Sequence, residues 1–261
     1  MAELFQDLRW IHIAAGTIAL IVFWIPVAAS KGGRLHVRIG WVYAGCMSVV
    51  VFTALSMSGL AFAAPLGVRH FQHALSAGET AQFIRDSREM AFFLAYLGGV
   101  TLAAGWQGIG VLRTRRDPKS FRTPFVLALN LAVILAALVS LALGIHTRSA
   151  IFAAMSSVGF IVSGGNLFYL LRGPASRMDW WYQHLSSMIG TGIAGYTAFL
   201  VFGGRRLLAP LGPERYLVVF WILPTVAGSI AITLTIARYK RKFHDGGRAP
   251  GLGRTQTTPS I

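Results

Sequence analysis

Residues 124–145 read PFVLALNLAVILAALVSLALGI, a run with no charged side chain, and this run decides the solvent in which the chain folds. A membrane-spanning helix needs about 20 predominantly apolar residues. Lipid offers backbone N–H and C=O groups no partner, so a spanning segment is either a helix or part of a closed barrel; an unbroken apolar run selects the helix.

Working outward, six further segments qualify: Trp10 to Ala29, Trp41 to Ala63, Met90 to Leu112, Ser149 to Leu171, Trp181 to Gly204 and Tyr216 to Ala237. Soluble domains carry roughly 25% charged residues, whereas these 261 residues are 13% charged and 54% hydrophobic. No stretch remains for a separate water-soluble core. The expected fold is an all-α membrane protein, a seven-transmembrane-helix antiparallel bundle of sequential neighbours. Residues 1–238 form a single polytopic membrane domain, and 239–261 a basic tail, disordered after His244. Val27-Ala28-Ala29-Ser30 resembles a signal cleavage site. The leader, however, carries Glu3 and Asp7 against only Arg9, and the apolar run is too long for a signal, so the segment reads as a helix.

Orientation follows the excess of Lys and Arg in cytoplasmic loops. Of the 24 basic residues, sixteen fall on one face: Lys31, Arg34, Arg38, the Arg113 to Arg122 cluster, Arg172, Arg177 and six in the tail. The other face holds Arg9, Arg69, Arg85, Arg88, Arg148, Arg205, Arg206 and Arg215. The amino terminus is expected outside and the carboxyl terminus in the cytoplasm, in a bacterial inner membrane. The net charge of +15 resides in short loops where topology and anionic lipid explain it, so nucleic acid is not an expected partner.

The absences narrow the chemistry. All nine acidic residues lie outside the spans or at their edges, whereas proton-coupled pumps rely on ionisable groups within the membrane. No span carries the Lys a retinal Schiff base needs, and neither HExxH nor GxSxG occurs. A single cysteine, Cys46, excludes an internal disulfide, a CxxC redox pair and covalent c-type haem attachment.

Histidine is costly in a bilayer and often functional there. His12 and His146 mark outer helix ends, with His70 and His73 in the loop between the second and third spans. His36 opens the second helix on the inner side, His184 sits in the first turns of the sixth, and His244 is in the tail. Two groups on opposite sides are what a transmembrane electron carrier with b-type haems needs, each iron taking axial imidazoles from facing helices. His12-Ile13-Ala14-Ala15-Gly16 and His36-Val37-Arg38-Ile39-Gly40 place a glycine one turn from the histidine, leaving room for a porphyrin edge. Lys31, Arg34 and Arg38 flank His36 and suit haem propionates. The candidate cofactor is haem b, with His12 and His146 as outer ligands, His36 and His184 as inner ligands, and a quinone or redox protein as partner. Against this stands the blander reading that histidines near helix ends bond to backbone or lipid headgroups.

Two alternatives use the same residues differently. A small-molecule or lipid transporter would line a polar cavity with the histidines and Gln107, Asn130 and Asn166; an assembly partner of another membrane complex would have no catalytic activity. Pro26 and Pro224 are expected to kink the first and seventh helices.

His12-Ile13-Ala14-Ala15-Gly16-Thr17-Ile18-Ala19-Leu20, Lys31-Gly32-Gly33-Arg34-Leu35-His36 and Gly40-Trp41-Val42-Tyr43 together resemble the DUF2306 family of predicted bacterial membrane proteins. The segment from Trp181-Tyr182-Gln183-His184-Leu185 to Thr197-Ala198-Phe199-Leu200 does so too. Where members commonly carry an acidic residue before the second histidine, this chain has Gln183. The resemblance implies the helical topology and singles out His12, His36 and His184; it implies no reaction.

Overall fold

Each apolar run folds into a continuous helix because only the i to i−4 ladder satisfies its backbone away from water. The computed structural model describes the chain except residues 70, 72, 73, 116, 204–212 and 246–261. Its helices are α1 (Ala2–Ala28), α2 (Arg34–Ala63), α3 (Ala77–Arg113), α4 (Pro124–His146), α5 (Ala150–Arg172), α6 (Asp179–Ala198) and α7 (Pro213–Lys242). A π-helical turn, Phe199–Gly203, continues α6. Among the described residues seven helices are long and apolar enough to cross a membrane.

The helices outrun the apolar segments where local chemistry favours it. α3 begins at Ala77 rather than Met90, because Ser76 and Glu79 form a reciprocal capping box: Glu79 N–H donates to Ser76 Oγ at 3.3 Å and Ser76 N–H to Glu79 Oε2 at 2.9 Å. The stretch around Thr80 to Ile84 is thus the first part of α3. α4 starts on Thr123 with Pro124 in its first turn. α7 runs past Ala237 to Lys242, drawing the start of the basic tail into helix. Pro26 lies in the last turn of α1, and α7 continues through Pro224.

Packing divides the helices into two groups joined by α3. α1 packs on α2, α2 on α3, α3 on α6, and α6 more lightly on α1, closing a ring of four. α4 and α5 form a tight hairpin against the other side of α3, and α7 lies along α6. The order of sequential neighbours therefore breaks at α6, which packs against α3 and α7. Small residues explain the return: a Cβ at Gly108 would stand 2.9 Å from Met188 Sδ and 3.1 Å from Ser187 Cβ, so glycine on α3 is what lets α6 settle. The interior of the ring is filled by Ala19, Phe23, Tyr43 and Met47, with Cys46, Met188 and Tyr196 partly buried against them. Cys46 is thus a packing residue.

The second group is built on a hydroxyl inserted into a helix. Tyr96 of α3 donates to Met155 O at 2.9 Å and accepts from Gly159 N–H at 2.9 Å, placing its oxygen within the backbone ladder of α5. Tyr96→Phe leaves that buried N–H and that carbonyl without this partner, at a cost of about 1–3 kcal/mol per unsatisfied group. We expect a lower thermal midpoint in detergent, and an unchanged midpoint would show that the α5 ladder closes without the hydroxyl.

Candidate functional site

The candidate residues at the two ends of the bundle meet different fates. At the end carrying Lys31, Arg34 and Arg113, where α1 finishes and α2 begins, His36 and His184 come together. Their ring centres are 6.3 Å apart, with planes inclined at 70°. They stand diagonally across the four-helix ring, one turn into α2 and α6, and α1 and α3 supply the groups that orient them.

His36 Nδ1 lies 3.0 Å from Pro26 O and His184 Nδ1 lies 2.8 Å from Gly108 O. A carbonyl oxygen only accepts, so each Nδ1 carries the proton and each Nε2 of the neutral ring keeps a lone pair. Pro26 O belongs to the last turn of α1, where helical carbonyls have no amide of their own. Gly108 O lies in the last two turns of α3, inside the helical ladder, and offers its second lone pair. Histidines that bind metals characteristically donate their other ring N–H to a carbonyl or carboxylate, which fixes tautomer and orientation.

The same carbonyl that holds His36 also holds Lys31. Its Nζ donates to Pro26 O at 2.9 Å, to Val27 O at 2.5 Å and to Ala29 O at 3.5 Å, capping α1 with a cation as the helix dipole favours. Burial holds the ammonium below its ordinary pKa. Lys31 therefore faces into the helix end, whereas Arg34 and Arg38 are exposed and remain free for an anionic group. The HxxxG pattern also splits: a Cβ at Gly40 would meet nothing within 4 Å, while one at Gly16 would rest on Val50 Cγ2 at 3.7 Å. Gly40 therefore borders open space, and Gly16 is used for packing.

Beyond the pair, the ring is tied by Tyr43 Oη and Thr191 Oγ1 at 2.9 Å. The Phe23 ring lies 5.4 Å from Tyr43 and 6.1 Å from Tyr196, whose hydroxyl donates to Leu20 O at 2.9 Å. These aromatics floor the site from α1, α2 and α6.

At the other end the histidines stand apart. His12 Nδ1 lies 3.1 Å from Val50 O and 2.9 Å from Thr53 Oγ1, both on α2. His146, the last residue of α4, is exposed. α1 packs on α2 and α6, and α4 on α3 and α5, so the two residues belong to separately packed helices. His70 and His73 lie outside the described residues, and His244 is in the turn after α7.

The uncharged polar residues gather on the far side of α3. Asn166 donates to Asn130 Oδ1 at 3.0 Å and to Ala103 O at 3.4 Å, and Asn130 donates to Val126 O at 2.8 Å. Gln107 is 1% exposed, and neither carboxamide atom has a partner. An enclosed, unpaired amide is costly, and replacing it by a hydrocarbon of similar shape removes that cost. Gln107→Leu is accordingly expected to raise the thermal midpoint, by the equivalent of about 1–3 kcal/mol. A lowered midpoint would mean that the carboxamide holds a guest.

The backbone carbonyls of Pro26 and Gly108 left no mark in the sequence, because a carbonyl has no residue code. Lys31 was legible as a flanking charge, and its direction was not.

Together these features describe an all-helical fold, with seven helices among the described residues long and apolar enough to cross a membrane, and a pair of neighbouring imidazoles near one end of a four-helix ring. Compared with protein-family models, with curated proteins and with solved structures, the chain has no match.

Proposed function

We propose that this protein holds one b-type haem between His36 and His184 and serves as a one-electron carrier in the membrane. The carrying observation is the shared posture of the two rings: each Nδ1–H is spent on a backbone carbonyl, each Nε2 is free, and the ring centres are 6.3 Å apart. Imidazoles that coordinate one metal from opposite sides at about 2.0–2.1 Å have ring centres about 6 Å apart. The donor set argues for haem over a bare ion. Among the described residues no three His, Cys, Asp or Glu side chains gather, and a bare zinc takes three or four protein ligands. Haem iron needs only axial ones, since the macrocycle supplies the rest.

When bound, haem supplies a ferric–ferrous couple that gains and loses one electron. His36 and His184 would hold the iron through Nε2, Pro26 O and Gly108 O would fix the rings and keep them basic, and Arg34 and Arg38 would receive the propionates. The excess of Lys and Arg at this end supports a cytoplasmic, inner-membrane position for it. A membrane quinone or a redox protein is the exchange partner. The resemblance to DUF2306 proteins belongs to this reading, since His36 and His184 lie in the segments that carry it.

The test is a reduced-minus-oxidised visible spectrum of the detergent-purified protein produced with ample haem. We expect a b-type spectrum. A colourless, well-folded protein would overturn the proposal.

A further inference from the structure

We infer that Lys31 sets the reduction potential of this site, acting as a positioning and charge-tuning residue through the Pro26 carbonyl. The inference rests on the haem reading above and concerns its regulation.

Two donors share one oxygen. Pro26 O accepts from His36 Nδ1 at 3.0 Å and from Lys31 Nζ at 2.9 Å. The carbonyl's donation towards His36 makes that imidazole more basic and more electron-releasing at Nε2. The ammonium competes for the same lone pairs and draws that density back. Lys31 also brings a full positive charge within two hydrogen bonds of an axial ligand, at a half-buried helix end where screening is weaker than in water. Reduction of ferric haem removes one positive charge, so a nearby cation favours the reduced form. Both effects act in the same direction and raise the potential.

The sequence places several cations near this site, but their geometry separates them. Arg34 and Arg38 are exposed at the start of α2, and in the haem reading their charge is offset by the propionates they receive. Lys31 is the one whose donors are all committed inward, to Pro26 O, Val27 O and Ala29 O. An ammonium held by three helix-end carbonyls has a fixed position, as a tuning charge requires.

The experiment is a spectroelectrochemical titration of the haem-loaded full chain for wild type, Lys31→Met, Lys31→Gln and Lys31→Arg, with the exposed Arg172→Gln as a surface-charge control. Lys31→Met removes charge and donors, Lys31→Gln keeps a donor to the helix end and removes the charge, and Lys31→Arg keeps both. We expect the midpoint potential to fall in the Met and Gln variants with haem content retained, and to stay near wild type in Lys31→Arg and in Arg172→Gln. If Lys31→Met fails to fold, the Gln and Arg variants carry the comparison. Unchanged potentials in Met or Gln variants that hold haem overturn the role of Lys31 and leave the site standing. Absence of haem from wild type overturns the site and this inference together.

Discussion

His184→Ala and His36→Ala are each expected to abolish the haem spectrum of the proposed site, whereas His12→Ala and His146→Ala are expected to leave it intact. The asymmetry follows from the geometry. Among the described histidines only His36 and His184 have neighbouring rings, with centres 6.3 Å apart. His12 is bound to α2, and His146 sits exposed on a separately packed helix. Losing an axial ligand removes a coordinate bond outright, so the fall in haem affinity should exceed the about 10–100-fold that follows loss of an outer hydrogen-bond partner at a metal site. Because His184 also bonds to Gly108 O, its removal costs some stability. Recovery of the spectrum on adding free imidazole to the Ala variants would separate lost ligation from lost folding. Equal loss of haem in His12→Ala would instead place the site at the other end of the bundle.

Gly108→Val is expected to disturb both the α3–α6 seam and the site that the seam supports. A Cβ there would stand 3.1 Å from Ser187 Cβ and 2.9 Å from Met188 Sδ. Met188 can turn away, but Ser187 Cβ moves only with the α6 backbone, so the branched side chain forces α3 and α6 apart. Overpacking of this kind costs about 1–3 kcal/mol. Separation also shifts the carbonyl that holds His184, so stability and haem affinity should fall together. Thermal unfolding and haem titration of the variant check both. A stable variant with wild-type haem binding would show that the α3–α6 seam adapts and that Gly108 O does not position the ring.

Much of the architecture was legible because apolar length is a property of each helix taken alone. The run 124–145 identified α4, and the other six spans were found in the same way. The ends were less legible where polar sequence stays helical, as in the capped segment from Ala77 to Glu89. Helix order was not legible at α6, because its return to α3 depends on Gly108 meeting Ser187 and Met188, a match between residues 80 positions apart along the chain. The site was half legible. The cost of histidine in lipid drew attention to His12, His36, His146 and His184 alike, but pairing is a matter of which helices share an interior. Asn130 and Asn166 illustrate the same limit: the sequence offers them as cavity-lining groups, whereas the fold turns them towards each other.

The central claim is that His36 and His184 together coordinate one iron. Electron paramagnetic resonance of the oxidised, haem-loaded protein tests it most directly, since two strong-field imidazoles enforce a low-spin ferric state. The account predicts a low-spin signal that disappears in both His36→Ala and His184→Ala. A high-spin signal in wild type, or a low-spin signal that survives loss of either histidine, would contradict it.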